Sequence, residues 1–212
     1  MTAHAVRLWG LLMAVSGASA AVLHPNAEQI AAATASGRAL AAPHEGYRLK
    51  DYVLYEVKNA RGIDVDDGDV DAIVIATPLE RTRHAAFLAA FAGRAIGPTE
   101  ARASSGLPDN QLEIIVFAHG ADRSDRRFAQ GFTAASLIEG SESLAVALPI
   151  AGEPKEAVYP LAPGDRRRFV AIITYRFDLS RFPQLAGAKA RLRFQDASGK
   201  SFDLPVDFSA FP

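Results

Sequence analysis

Apolar and polar residues alternate most clearly towards the C-terminus of the chain. Positions 202–208 carry an apolar residue at every second place, and positions 191–194 alternate arginine with leucine and phenylalanine. A period of two puts one face of a strand against a core and the other face in solvent. A short connection containing Ser198 and Gly199 joins the two segments, which are therefore predicted to form a β-hairpin.

Six segments of the C-terminal half have the length and the apolar pattern of strands, and turn-forming residues separate them. Short strands at this spacing, without a long helical pattern between them, are typical of an antiparallel sandwich. The C-terminal half is therefore predicted to be an antiparallel, immunoglobulin-like β-sandwich. The predicted strands are 112–118, 128–138, 144–149, 168–179, 188–195 and 201–208.

An alanine-rich segment, 27–42, predicts a first helix. Asn26 is suited to cap it, and Gln29, three residues later, completes the spacing of a capping box. Gly37 weakens the helix propensity at one position, and Pro43 ends the helix. Because the apolar face is nearly all alanine, this helix can pack closely against a neighbour but buries little area per residue.

A second helix is predicted to begin at Thr77. Thr77 is the cap, Pro78 fits the first helical position, and Glu80 completes a capping box. The helix is predicted to run to about Ala92, with Gly93 as its C-terminal cap. Its apolar face is predicted to contain Leu79, Ala86, Phe87, Ala90 and Phe91, and its solvent side Glu80, Arg81, Arg83 and His84.

Two strands, 47–57 and 72–76, are predicted between these helices. The segment 97–110 is rich in proline, glycine and serine, which predicts an internal boundary. We therefore predict an α+β chain. Two helices and their strands occupy residues 21–108, and the β-sandwich occupies residues 109–212; together they form one domain or two.

Residues 1–20 have the pattern of a secretory signal peptide. Arg7 gives a positive start, residues 8–15 are apolar, and Ala18 to Ala20 form a small-residue cleavage site. The apolar run is too short to cross a bilayer core of about 30 Å as a helix. The segment is therefore predicted to be removed, and no membrane span is predicted in the rest of the chain.

Charge and cysteine content narrow the function classes. The formal net charge is −1, and removal of residues 1–20 makes it −2, so no basic excess supports nucleic-acid binding. The chain has no cysteine, so disulfides cannot stabilise it outside the cell. Because small extracellular domains of eukaryotes are often rich in disulfides, we expect a bacterial protein that is periplasmic or secreted.

An acidic loop precedes the strand 72–76. It contains Asp64, Asp66, Asp67 and Asp69, and carboxylate oxygens are the ligands that calcium prefers. The spacing departs from the EF-hand pattern, because Gly68 is the fifth residue counted from Asp64 rather than the sixth. The loop is therefore either a calcium site or a solvated turn, and no other cofactor is predicted.

The segment 119–127 brings together histidine, serine, aspartate and arginine. Arg123, Arg126 and Arg127 are candidates for binding an anion, because guanidinium groups match phosphate or carboxylate oxygens. The segment also has the residue types of a hydrolase triad, but triad members usually come from separate loops. A charged connection between strands, with no ligand, is the alternative.

These observations favour a binding protein over an enzyme. No G-x-S-x-G motif and no zinc-motif spacing of histidines is present in the sequence. Export and the β-rich half indicate a non-enzymatic binding or interaction module of the cell envelope, with an envelope protein as partner, since a sheet edge can accept a strand. The alternatives are a periplasmic hydrolase and a binder of a small anion or metal, using segment 119–127 or the acidic loop 64–71.

Overall fold

The computed structural model describes residues 21–42, 46–47, 52–57, 69–121, 123–161, 164–182 and 188–211. Within these ranges the chain forms three α-helices and ten β-strands, so it is an α+β protein with antiparallel sheets. The helices are α1 Ala27–Ala41, α2 Pro78–Phe91 and α3 Pro98–Ser104. The strands are β1 Val53–Glu56, β2 Val70–Ala76, β3 Gln111–His119, β4 Ala135–Glu139, β5 Glu142–Ala147, β6 Pro149–Ala151, β7 Lys155–Leu161, β8 Gly164–Asp178, β9 Lys189–Gln195 and β10 Ser201–Asp207.

Both predicted helices are confirmed, and their caps explain where they begin. The side chain of Asn26 accepts from the backbone N–H of Gln29, while the side chain of Gln29 accepts from the backbone N–H of Asn26. The hydroxyl of Thr77 accepts from the backbone N–H of Glu80, and Pro78 is the first residue of α2. These contacts satisfy N–H groups that the start of a helix leaves unpaired.

A third helix lies where the sequence predicts only a boundary. α3 follows Gly97 and has Pro98 at its first position, where the missing N–H of proline costs nothing. Arg102, in its last turn, donates to the carbonyl oxygen of Leu107 and forms an ion pair with Asp109. The helix and its arginine therefore order a segment whose glycine and proline content favours a loop.

Every pairing between described strands is antiparallel. The first sheet has the strand order β1-β2-β3-β8-β6, with β7 also paired to β8, and the second has the order β10-β9-β4-β5. The predicted hairpin is confirmed, because β9 and β10 pair along their whole length. Strand β2 pairs with β3, so the first sheet joins strands from both sides of residue 108.

Some strands differ from their predictions in extent or were not predicted, and the predicted strand 144–149 covers parts of both β5 and β6. Among the described residues of the segment 47–57, which are 47 and 52–57, the strand covers Val53–Glu56, and in 128–138 a 3-10 helix, Phe128–Gly131, precedes β4. That helix brings Gly131 against Ala197, where a Cβ on the glycine would lie 2.7 Å from the Ala197 Cβ. Strand β7 was not predicted, and it contains Pro160, which an edge strand tolerates.

Both sheets contribute to one hydrophobic core. Ile73 and Ile114 of the first sheet belong to it together with Leu137 and Leu192 of the second, all fully buried. Alternate residues of β3 face this core, and the residues between them point to the opposite face of the sheet. That opposite face carries α2 and the site described below.

Helix α1 packs against α2, and the two approach closely at Gly37. A Cβ built on Gly37 would lie 2.1 Å from the carbonyl oxygen of Arg83 and 3.0 Å from the Cβ of Ala86. No side chain fits in that space, so the glycine is required by packing despite its low helix propensity. The pairing holds α2, and with it Arg81 and His84, in place over the sheet.

Candidate functional site

A cavity of about 380 Å³ lies between α2 and the outer face of the first sheet. Its floor is apolar, and its wall carries ionisable and polar side chains that converge from α2, from β3 and from the segment before β1. The floor residues are Val74, Ala76, Ile115, Phe117, Ile172 and Thr174, and the wall residues are Tyr47, Glu80, Arg81, His84 and Glu113.

Glu113 is a buried carboxylate at the centre of the wall. It lies on the outer face because its neighbours Leu112 and Ile114 point into the core. Arg176, directly opposite on β8, donates to the Glu113 Oε1 from Nε at 3.1 Å and from Nη2 at 2.6 Å. Arg81 approaches the other oxygen, with its Nε 3.4 Å from Oε2. Two cations therefore compensate the burial of one carboxylate.

Tyr47 connects a second buried carboxylate to a third arginine. Its hydroxyl donates to the Glu80 Oε1 at 2.8 Å and accepts from the Arg83 Nε at 2.9 Å. Burial raises the pKa of Glu80, although the hydrogen bond from Tyr47 opposes that shift. Burial, and then the charge of Glu80, raise the pKa of Tyr47, so the phenol keeps its proton.

The predicted faces of α2 are wrong at Glu80 and Phe91, and also at His84. Glu80 is 2% exposed rather than on the solvent side, because it faces Tyr47. Phe91 is 51% exposed rather than part of the apolar face, although its ring stacks on Phe87 at 5.7 Å. The capping position of Glu80 did not reveal that its carboxylate has a partner from a distant segment.

His84 is partly buried and lines the cavity, rather than lying on the helix surface as expected. Burial lowers the pKa of His84, and the charges of Arg81 and Arg83 lower it further. The imidazole is therefore neutral at pH 7. Its Nδ1 lies 3.4 Å from the Arg81 Nη1, and an arginine only donates. This contact therefore favours the tautomer in which Nε2 carries the proton.

The arrangement suits binding more than proton transfer. Each buried carboxylate already accepts from a tyrosine or an arginine, whereas the contacts of Arg81 to Glu113 and His84 are both 3.4 Å long. Hydrogen bonds of N–H to oxygen are usually shorter, near 2.9 Å. Arg81 therefore keeps donor capacity for an additional acceptor at the cavity wall.

A separate polar cluster lies where β2 begins and β3 ends. The Asp71 Oδ1 is 2.7 Å from the Nδ1 of His119, whose side chain is fully buried. The backbone N–H of Asp69 donates to the Oδ2 of Asp196 at 3.1 Å. Burial, and then the charge of Asp196, raise the pKa of Asp69 to about 6.

The three candidate anion-binding arginines each contact different residues. Arg123 lies 3.9 Å from Glu156, which also faces Arg167. The guanidinium of Arg126 lies 4.9 Å from the centre of the Phe169 ring, and the backbone N–H of Arg127 donates to the carboxylate of Asp125. Their ability to bind an anion stays a prediction.

The calcium prediction also stays a prediction. Asp64, Asp66 and Asp67 lie outside the described residues, while Asp69 is buried beside Asp196. Within the described part of the chain, no group of three or more histidine, cysteine, aspartate or glutamate side chains is arranged to hold a metal ion.

The wall of the cavity was missed by sequence reasoning. One signal was present, since Glu113 is the only charged residue in the apolar run 112–118. A charge inside an apolar strand needs a partner when it is buried. The sequence gives no means of identifying Arg176 and Arg81 as those partners.

The chain has no significant match among protein-family models, curated proteins or solved structures. No helix of the described residues is long and apolar enough to cross a membrane.

Proposed function

We propose that this protein is an exported, non-enzymatic binding protein of the bacterial envelope, and that the cavity beneath α2 binds a small amphipathic anion. The observation that carries the proposal is the position of Arg81 at the wall of a cavity with an apolar floor. Guanidinium groups form charge-assisted hydrogen bonds with carboxylate and phosphate oxygens. The apolar floor favours a hydrocarbon body attached to that anionic group.

The charge of the wall supports an anion rather than a cation. Arg81 lines the cavity, and Arg83 and Arg176, which lie outside its lining, bring the arginines to three against the two carboxylates of Glu80 and Glu113. The volume of about 380 Å³ is within the range of about 300–1,000 Å³ that is usual for small-molecule sites.

Calorimetric titration with octanoate and octanol tests the proposal, because the two ligands differ in charge and share a chain length. We expect octanoate to bind at least about tenfold more tightly, since a hydrogen bond to a charged group contributes about 1.5–3 kcal/mol. The variant Arg81→Gln should abolish that difference. Arg193→Gln is the matched control, because Arg193 is half-exposed on the second sheet. Equal affinities for the two ligands in the native protein would contradict the proposal.

Export and the finer architecture belong to the same proposal. The pattern of residues 1–20 supports a cleaved signal peptide, and N-terminal sequencing of the protein from a bacterial periplasm tests it.

The shared core of the two sheets supports a sandwich, for which we propose an immunoglobulin-like arrangement. An envelope protein remains the proposed macromolecular partner, and β5, at the edge of the second sheet with Val146 65% exposed, is the edge that supports it.

A hydrolase is the second candidate function, and the contact between His119 and Asp71 favours it. A carboxylate on the Nδ1 of a histidine is the pairing that orients a general base. The full burial of the His119 side chain argues against direct contact with a substrate. Ester hydrolysis by the native protein that is lost in His119→Ala, with the fold intact by circular dichroism, would support this candidate over binding.

The predicted ion sites are tested separately by thermal shift. Stabilisation by phosphate beyond that given by sodium chloride of equal ionic strength would support Arg123, Arg126 and Arg127. Stabilisation by calcium that EDTA reverses would support the acidic loop that contains Asp64 and Asp66. A ligand at one hundred times its dissociation constant stabilises the folded state by about 2.7 kcal/mol, which such a measurement detects.

A further inference from the structure

A second, larger cavity of about 580 Å³ lies on the same face of the first sheet. Its lining is mostly apolar, and it has charged residues at one side. It shares Phe117 and Ile172 with the cavity beneath α2. The charged lining residues are Asp71, Glu153 and Lys155.

The two shared residues form a continuous apolar floor between the cavities. Phe117 on β3 and Ile172 on β8 are directly opposite in the strand register, so their side chains lie next to each other on one face. Ile172 is 48% exposed. A large aliphatic side chain that is about half exposed and lines two neighbouring cavities is a surface that a hydrocarbon would cover.

We propose that the two cavities form one elongated site and that its ligand is a long-chain monocarboxylate. This inference rests on the proposed function, because the carboxylate is placed at Arg81 and His84. The hydrocarbon chain crosses Phe117 and Ile172 and ends in the second cavity. The residues that determine chain length are therefore distinct from those that bind the charge.

The length of the floor sets the length of the ligand. Along β8 the floor runs from Thr174, in the first cavity, to Val170, in the second. Four residues of a strand at about 3.4 Å each cover roughly 14 Å. With carbon–carbon bonds of about 1.5 Å, an extended chain of roughly ten methylenes covers the same span. Dodecanoate therefore fills the site, whereas butanoate occupies only the end near Arg81.

Charge at the far end of the site selects against a second carboxylate. Asp71 and Glu153 line the second cavity with a single lysine, Lys155. Burial raises the pKa of Asp71, so its environment already disfavours negative charge. A carboxylate at both ends of the chain would place like charges near each other in this cavity. Dodecanedioate should therefore bind more weakly than dodecanoate.

Calorimetric titration with butanoate, octanoate, dodecanoate and dodecanedioate tests this inference on the full-length mature protein, below the micelle-forming concentrations. Each buried methylene contributes up to about fourfold in affinity, so dodecanoate should bind at least about tenfold more tightly than octanoate. Ile172→Gln should remove most of the gain from octanoate to dodecanoate and weaken butanoate much less, because the carboxylate of butanoate lies at Arg81. Val146→Gln, at an exposed position of the second sheet, is the control and should change neither.

The outcomes separate this inference from the proposed function. Equal affinities of octanoate and dodecanoate, both lost in Arg81→Gln, would overturn the elongated site and leave the anion site in place. Dodecanoate binding that Ile172→Gln does not weaken, or dodecanedioate binding as tight as that of dodecanoate, would also overturn it. Failure of every carboxylate to bind in an Arg81-dependent way would overturn the proposed function itself.

Discussion

The Nδ1 of His119 lies 2.7 Å from the Oδ1 of Asp71, although 48 residues separate them in the chain. When Asp71 is ionised its carboxylate only accepts, and this ring nitrogen then carries the proton. Asp71 lies at the irregularity in the pairing of β2 with β3, where the register shifts between Val70 and Ala72. The contact therefore joins the acidic loop to the segment that begins at His119, which the sequence presented as two separate candidates.

We predict that His119 and Asp71 are energetically coupled. Asp71→Asn and His119→Ala should each lower the free energy of unfolding by about 1–3 kcal/mol, because each leaves a buried polar group without this partner. The double variant should lower the free energy of unfolding by less than the sum of the two single variants. Urea unfolding measures all three.

His24→Ala is the control for that cycle. His24 lies 3.7 Å from Asp109, but both side chains are at least half exposed. Its removal should change stability by less than about 0.5 kcal/mol, as surface substitutions usually do. Strict additivity of His119→Ala and Asp71→Asn would contradict the coupling.

Asp69 should make the protein more stable as the pH falls from 7 towards 4. Burial and the charge of Asp196 raise the pKa of Asp69 from 3.8 to about 6. The folded state therefore takes up this proton before the unfolded chain does, and folding is favoured more strongly as the pH falls through that window. Asp69→Asn should be more stable than the native protein at pH 7, and the advantage should shrink by pH 4.

Asp203→Asn is the comparison variant, because the pKa of Asp203 is shifted in the opposite direction to that of Asp69. The hydrogen bonds from Arg191 and Arg193 lower the pKa of Asp203 in the folded state. Ionised Asp203 therefore stabilises the folded state at pH values above its pKa in the unfolded chain, and this stabilisation is lost as the pH falls through its pKa in the folded state. Urea unfolding at several pH values compares the variants. Parallel stability profiles for Asp69→Asn and the native protein would be inconsistent with the burial of a titrating Asp69.

Elements with local signals were predictable from the sequence. The caps at Asn26 and Thr77 predicted both starts correctly, and the period-two alternation predicted the hairpin of β9 and β10. These signals involve residues within a few positions of each other, so a single sequence contains them. Helix α3 was missed because proline and glycine predict a loop when the contacts of Arg102 are unknown.

The candidate site was not predictable, because its contacts join distant parts of the chain. Tyr47 and Glu80 are 33 residues apart, and Glu113 and Arg176 are 63 residues apart. The strand order β3-β8 brings the second pair together, and strand order is not encoded in any local pattern. Only Glu113, as a charge within an apolar strand, carried a signal of its own.

We predict that Glu113→Gln weakens the fold and strengthens anion binding. The neutral amide releases Arg81 and Arg176 from a charged partner, so the wall gains net positive charge. Octanoate should bind more tightly, while the free energy of unfolding should fall by about 1.5–3 kcal/mol, the usual contribution of hydrogen bonds to a charged group. Calorimetry and urea unfolding of the same sample measure both effects.

Asp203→Asn serves again as the control for Glu113→Gln, since its carboxylate also lies between two arginines but on the exposed face of the second sheet. It should leave octanoate affinity unchanged. Weaker octanoate binding by Glu113→Gln would indicate that Glu113 orders Arg81 for the ligand, rather than competing with it.

Gly37→Ala should destabilise the protein even though alanine is the better helix former. In an open helix this change would be favourable by about 1 kcal/mol. At Gly37 the new Cβ would meet the carbonyl oxygen of Arg83 at 2.1 Å, which is backbone and cannot move aside without shifting α2. Overpacking of this kind typically costs about 1–3 kcal/mol. Ser36→Ala, one position earlier on the exposed face of α1, also introduces an alanine. It should leave the free energy of unfolding unchanged or raise it slightly.

The same variant connects the helix pair to the cavity. Because α1 positions α2, and α2 carries Arg81 and His84, a displacement at Gly37 should also weaken octanoate binding, whereas Ser36→Ala should not. Thermal unfolding and calorimetry on the two variants give the comparison. If Gly37→Ala matched Ser36→Ala in both stability and affinity, the close approach of α1 to α2 would not be what holds Arg81 over the sheet.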